Sequence, residues 1–210
     1  INPEQYTGRI KKIYPNGGIY EGESKGGIPH GKGKMIYKED KHERKMYEGE
    51  WKDDLFHGKG KISWTNGDTY EGDFENNIAH GVGKMYLIRK NQTYEGELKN
   101  GRRNGKGKMT FSSGNFYEGE WKDNKHHGKG KMTYINGNVG VYEGSWKEHK
   151  LHGRGTFTKP DGTKNEFIFK NGRRAEALDF SDPEFLFSLF KEGETSFIYE
   201  GLLLIKKKIE

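Results

Sequence analysis

"YEGEWKDDLFHGKGKISW", residues 47–64, keeps a period of two along its length. Tyr47, Gly49 and Trp51 fall on one side of an extended chain and Glu48 and Glu50 on the other; Gly58, Gly60, Ile62 and Trp64 then share a side, with Lys59 and Lys61 opposite. With "KDDLFH" as the turn, Trp51 is expected to face Gly58, Gly49 to face Gly60 and Tyr47 to face Ile62. That register sets Glu50 against Lys59 and Glu48 against Lys61, and opposite charges facing across a strand pair contribute about 0.2–1 kcal/mol. A slip of one residue loses the apolar and the charged matching together. The following "TNGDT" carries an Asn-Gly suited to the positive φ of a hairpin turn. Continuing the sheet past it places Trp64 opposite Tyr70, Ile62 opposite Gly72 and Gly60 opposite Phe74, so that rings cover the bare backbone of neighbouring strands.

The stretch is one copy of a repeat. Tyr-Glu-Gly recurs at Tyr20, Tyr47, Tyr70, Tyr94, Tyr117 and Tyr142, and a Gly-x-Gly pair begins 11 residues after each tyrosine, at Gly31, Gly58, Gly81, Gly105, Gly128 and Gly153. From that glycine to the next tyrosine the distance varies from 12 to 16 residues, so insertions collect on one side of the unit. A half unit precedes the first copy, with Gly8 at the position of Gly58. A degenerate seventh follows the sixth, with Asn165 at the tyrosine position, Phe167 at a glycine position and Glu176 where the glycine pair would begin, as expected of a terminal repeat. The array spans residues 6–175. Residues 176–210 form a C-terminal extension in which Ser181 and Glu184 are spaced as a capping box around Pro183 and Gly193 provides a stop. This predicts a short amphipathic helix near 182–191 with Phe185, Leu186, Leu189 and Phe190 as its apolar stripe. The expected fold is all-β: an elongated, single-layer antiparallel meander of hairpins with that helix at its end.

Composition agrees with a thin fold. Only 30% of the 210 residues are hydrophobic, whereas the 32 glycines are roughly twice average usage, so a thick core is not expected. The 13% aromatic content argues against disorder, since disordered segments are poor in aromatics. The chain has no cysteine, which removes disulfides and thiolate metal sites and fits a reducing, cytoplasmic setting. A net charge of +6 is spread as mixed lysine and glutamate, a poor match to the uncompensated basic stripe of a nucleic-acid binder.

Gly26–Gly33, "GGIPHGKG", has the Gly-x4-Gly-Lys of a nucleotide loop but lacks the Ser or Thr that would hold magnesium. His30, His57, His80, His127 and His152 precede the glycine pairs, yet neighbouring copies lie about 9.5 Å apart, too far to share an ion; each is expected to pack on an aromatic ring. There is no Gly-x-Ser-x-Gly and no His-Glu-x-x-His. No enzyme activity, metal or cofactor is expected in the array.

These residues resemble the MORN repeat, whose signature is similar to Tyr-Glu-Gly-x-Trp/Phe followed by His/x-Gly-x-Gly and a second hydrophobic strand. Leu98 in place of Trp, Asn104 in place of His and Val82 in "HGVG" depart from it without touching the glycine pairs. The resemblance implies a non-enzymatic protein scaffold, as in radial-spoke-head proteins of cilia and protist cytoskeletal scaffolds, and the expectation is a ciliary or cytoskeletal assembly. Other family members imply two alternatives: a phosphoinositide-binding membrane tether, or the regulatory module of a lipid kinase or SET-domain enzyme whose catalytic domain would lie beyond the present ends.

The expected docking face comprises Tyr47, Trp51, Trp64, Tyr70, Phe74, Tyr94, Phe111, Tyr117, Trp121, Tyr134, Tyr142 and Trp146. Its structural glycines are Gly49, Gly58, Gly60, Gly72, Gly81, Gly83, Gly105, Gly107, Gly128, Gly130, Gly153 and Gly155. Partners are expected to be other proteins, with a homodimer compatible and nucleic acid not expected. Lys206, Lys207 and Lys208 are the residues suited to an anionic lipid, a weaker alternative because stable anchoring generally takes more than one signal.

Overall fold

The structure, a computed structural model, describes residues 7–174 apart from Glu39 and Asn138. They form one 15-stranded antiparallel sheet in which spatial order is sequence order. The first strands are β1 (Thr7–Ile13), β2 (Ile19–Lys25), β3 (Ile28–Ile36), β4 (Arg44–Lys52) and β5 (Leu55–Trp64). The middle of the array is β6 (Thr69–Glu75), β7 (Ile78–Leu87), β8 (Gln92–Lys99), β9 (Arg102–Thr110) and β10 (Phe116–Lys122). It closes with β11 (Lys125–Tyr134), β12 (Gly140–Lys147), β13 (Lys150–Thr158), β14 (Lys164–Lys170) and the short β15 (Arg173–Arg174). The meander expected from the sequence is therefore present, whereas the helix expected near 182–191 lies outside the described residues, as does Glu176.

Register explains the repeat. Tyr47 pairs with Ile62, Glu48 with Lys61 and Gly49 with Gly60, as expected. Beyond Gly49 the expected pairing fails: Trp51 faces Phe56, Glu50 faces His57, and the turn is Asp53-Asp54 alone. Both aspartates have positive φ, +49° and +66°, the mark of a two-residue hairpin whose twist matches its strands. The difference is taken up by a bulge. Gly58 and Lys59 have no partner on β4 and pair instead with Phe74 and Asp73 on β6. Gly58 bends there at φ +56°, and the Lys59 N–H released by the bulge donates to Glu50 Oε1 at 3.2 Å. Glu23, Asp73, Glu97 and Glu120 accept from the backbone in the same way.

The next strand is shifted by its own turn, which closes at Trp64 and Asp68, two residues earlier than the expected Trp64–Tyr70 pairing. Ile62 faces Tyr70 and Gly60 faces Gly72, not Phe74 as the sequence reading had it. Glycine therefore meets glycine across the sheet, in one row from Gly22 on β2 to Gly155 on β13. Ile10 and Phe167 end the row. The ring over this row is the repeat's tyrosine, not its tryptophan. A Cβ on Gly60 would lie 2.7 Å from the Tyr47 ring, and the Tyr20, Tyr70, Tyr94, Tyr117 and Tyr142 rings crowd their own glycines likewise. The two glycines of each pair are thus required for different reasons: the first for its backbone conformation, the second for its missing side chain.

A single-layer sheet can bury these rings because each hairpin leans on the one before it. From the second two-residue turn onward, the second turn residue donates its N–H to a carbonyl of the preceding hairpin, as in Asp54 to Pro29, Asn77 to Phe56, Asn124 to Arg103 and Gly172 to Leu151, at 2.8–3.1 Å. At the opposite edge the connections vary in length, from residues 65–68 between β5 and β6 to residues 37–43 between β3 and β4, which is where the sequence placed its insertions.

Candidate docking face

One face of the sheet is aromatic and the other charged. On the aromatic face, Tyr20, Tyr47, Tyr70, Tyr94 and Tyr117 are 0% exposed, so they cannot present a ring to a partner. Each Trp or Phe four residues on packs edge-to-face between its own tyrosine and that of the preceding unit. Trp51 meets Tyr47 and Tyr20, each with ring centroids 5.1 Å apart, Phe74 meets Tyr70 and Tyr47, and Trp121 meets Tyr117 and Tyr94. Trp146 links Tyr142 to Tyr117, and buried Leu98 takes this place in the fourth unit. The indole N–H groups of Trp51, Trp121 and Trp146 donate to the carbonyls of Gly33, Gly107 and Gly130. Nine of the twelve rings proposed as a docking face are therefore buried in the array: Tyr47, Trp51, Tyr70, Phe74, Tyr94, Tyr117, Trp121, Tyr142 and Trp146.

The other three are half-buried and form a row of their own. Trp64, Phe111 and Tyr134 stand just before the variable turns, together with Tyr14 and Tyr37, which the sequence reading had not selected. Burial pushes the Tyr14 phenol up to about 12, helped by Asp54, whose carboxylate accepts its hydrogen bond at 3.3 Å. The residue nine positions after each tyrosine was also missed. Phe56 stacks flat on Tyr47 with centroids 3.7 Å apart, and His126 stacks on Tyr117 at 3.8 Å. Pro29, Ala79, Arg103 and Leu151 occupy the same position, a variety that left no sequence signal. The histidine packed on an aromatic is accordingly His126 and not its neighbour His127, since adjacent strand residues point to opposite faces.

His126 makes the fifth unit sensitive to acid. It is buried against Tyr117, Trp121 and Trp146. Burial first, then His149 and Arg103, push its pKa down from 6.5 to about 3. Between those values the unfolded chain holds a proton that the folded chain lacks. Stability is therefore lost as pH falls through this window, by up to about 1.4 kcal/mol per pH unit. His126→Phe, the residue that Phe56 provides in the second unit, is expected to flatten urea midpoints between pH 7 and 5 relative to the parent.

The tyrosine hydroxyls give a second test. Those of Tyr20, Tyr47, Tyr70, Tyr94 and Tyr117 donate to the carbonyl three residues on, at 2.6–3.0 Å. The Tyr142 hydroxyl is buried without a partner among the described residues. Tyr117→Phe is expected to cost about 1 kcal/mol in urea unfolding, and Tyr142→Phe to be neutral or stabilising.

The charged face carries an alternating row, Lys11-Glu21-Lys34-Glu48-Lys61-Glu71-Lys84-Glu95, continued by Lys108, Glu118, Lys131 and Glu143. Ion pairs of 2.6–4.0 Å tie Lys11 to Glu21, Lys61 to Glu71, Lys84 to Glu95 and Lys108 to Glu118. All are exposed and individually weak. Lys59, expected to face Glu50, is paired with Asp73 at 2.6 Å. Across β1 to β8 these side chains and the glycine backbone line an open groove of about 1130 Å³. Among the described residues, no group of three or more His, Asp or Glu side chains is placed to hold a metal ion, and no helix is long and apolar enough to cross a membrane. Lys206, Lys207 and Lys208 lie outside the described residues.

Comparison with known proteins agrees with the repeat. No curated protein matches the chain. Among solved structures, it is similar to the SAS-4 (dCPAP) TCP domain of Drosophila melanogaster, determined in complex with a proline-rich motif of Ana2 (dSTIL). Identity there is 16%, over 80% of this chain and 87% of that one, with a TM-score of 0.34. Virginiamycin B lyase from Staphylococcus aureus follows at 7% identity, over 78% and 71%, with a TM-score of 0.18. Overlaps this low establish neither a shared fold nor a shared function. The MORN repeat profile, by contrast, matches residues 20–39, 47–69, 70–87, 94–116, 117–139 and 142–164. With six matched repeats covering more than half of its length, the chain belongs to the MORN repeat family.

Proposed function

We propose that the chain is a non-enzymatic scaffold that docks other proteins along its aromatic face, in a ciliary or cytoskeletal assembly. The observation that carries this reading is the row of half-buried rings, Tyr14, Tyr37, Trp64, Phe111 and Tyr134, standing on a floor of fully buried ones. Aromatic side chains of this kind supply large contact area at a low entropic cost. Their own neighbours fix them, so a partner need not order them. Interior rings such as Tyr47 and Trp121 act in this scheme by holding the row in place.

The test is proximity labelling in the native cell with the parent chain and with Trp64, Phe111 and Tyr134 each changed to Ser, after confirming that the variant melts cooperatively. A set of proteins labelled by the parent and lost from the variant supports the reading, and axonemal or cytoskeletal proteins within that set support the assembly. Identical sets from both chains would overturn it.

A further inference from the structure

The C-terminal end of the aromatic face differs from the rest. Within the array, the residue at the tryptophan position is buried: Trp51, Phe74, Trp121 and Trp146 are each at most 6% exposed. Phe169 stands in the same register, opposite Gly153, but is only half-buried. Among the described residues, only the two-residue β15 follows it. Phe157, the cross-strand partner of Tyr142, is half-buried too, whereas Met132 on the other side of Tyr142 is buried. The result is an apolar groove of about 610 Å³ between Tyr134, Val139, Leu151, Phe157, Phe167 and Phe169. Lys159 stands on its wall, and the Arg174 guanidinium lies 4.5 Å from the Phe167 ring centroid.

We propose that this groove is filled by the chain's own C-terminal extension, through Phe185, Leu186, Leu189 and Phe190. Three observations select this occupant. Position comes first: the extension begins at residue 175, directly after β15, at the groove's end of the sheet. Reach comes second. The ten residues from Ala175 to Glu184 span up to about 33 Å when extended, while the groove crosses β11 to β14, about 14 Å at normal strand spacing. Charge comes third. The stripe is flanked by Asp179, Asp182, Glu184, Glu192 and Glu194 with Lys191 as the single cation, whereas Lys159 on the groove's wall and Arg174 beside Phe167 are cations. The extension thus covers Phe169, which the described strands leave half-buried, and closes the aromatic face at that end.

The absence of cysteine makes the test direct. In the full chain, Val139→Cys is combined with Leu189→Cys and treated with a short bis-maleimide at high dilution. Val139 is 44% exposed, so the change is tolerated by the fold. A control carries Val82→Cys with Leu189→Cys, because Val82 is 58% exposed on the charged face. Docking gives a crosslinked monomer at least about tenfold faster than the control, since a docked pair is held at high effective concentration. Adding Leu186→Asp and Phe190→Asp removes that difference. Equal rates in the two pairs, crosslinks between chains, or rates unchanged by the aspartates would each overturn the proposal; crosslinks between chains would point to a second copy as the occupant.

Discussion

Gly60→Ala is expected to lower the unfolding free energy by about 3 kcal/mol, at the top of the range for overpacked sites, although it adds a single methyl group. The new Cβ would lie 2.7 Å from ring atoms of Tyr47. That ring has nowhere to go. Phe56 stacks on it with centroids 3.7 Å apart, Trp51 and Phe74 meet its edges, and its hydroxyl is bonded to the Glu50 carbonyl at 2.8 Å. The backbone cannot yield either, because Gly60 faces Gly49 on one side and Gly72 on the other. Gly58→Asn should be milder, since asparagine tolerates the left-handed region and the new Cβ would meet the Glu50 carboxylate, the free end of a flexible side chain. A double-mutant cycle decides the mechanism. In a Tyr47→Leu background most of the Gly60→Ala penalty should vanish; an equal cost in both backgrounds would show that the ring is not what excludes the methyl.

Trp121→Ala is expected to cost about 3–5 kcal/mol, the usual figure for truncating a buried aromatic, and to divide the array. Trp121 is 3% exposed, touches Tyr94 of the fourth unit and Tyr117 of the fifth, and bonds the Gly107 carbonyl of the fourth. Arg103 lies over its indole at 4.6 Å, and burial lowers that guanidinium's pKa. In a chain whose units touch only their neighbours, weakening one junction lets the two sides unfold separately. The remaining tryptophans report on both sides, Trp51 and Trp64 before the break and Trp146 after it. Urea unfolding followed by fluorescence should become biphasic, while far-UV signal in buffer is retained. A single transition shifted to lower urea would mean that units are coupled beyond their neighbours.

Much of this was legible in the sequence, and the part that was not has a definite cause. The period of two, the six-fold recurrence and the glycine pairs give the meander and half of the register, from Tyr47–Ile62 to Gly49–Gly60. The other half turned on where two extra residues are stored. A six-residue turn and a two-residue turn followed by a bulge place Gly49 against Gly60 equally well, so pattern matching does not separate them. The bulge's requirements are local: a left-handed Gly58 and the Glu50 carboxylate on the Lys59 N–H. The next strand differed for a second local reason, a turn that closes at Trp64 and Asp68, and the two differences together assigned the glycine seat to Trp51 and Phe74 instead of Tyr47. The docking face was drawn too broadly for a related reason. An alternation of apolar residues identifies a face but carries no information on how far successive hairpins lean together, and that lean is what buries nine of the twelve rings.

The alternating row on the other face bears on how long such an array can grow. Every two strands bring one lysine and one glutamate into the row from Lys11 to Glu143, so extension adds no net charge there. A face bearing one sign would meet self-repulsion that mounts with each added unit. Here each added hairpin is electrostatically neutral in that row, so no such cost accumulates between Lys11 and Glu143.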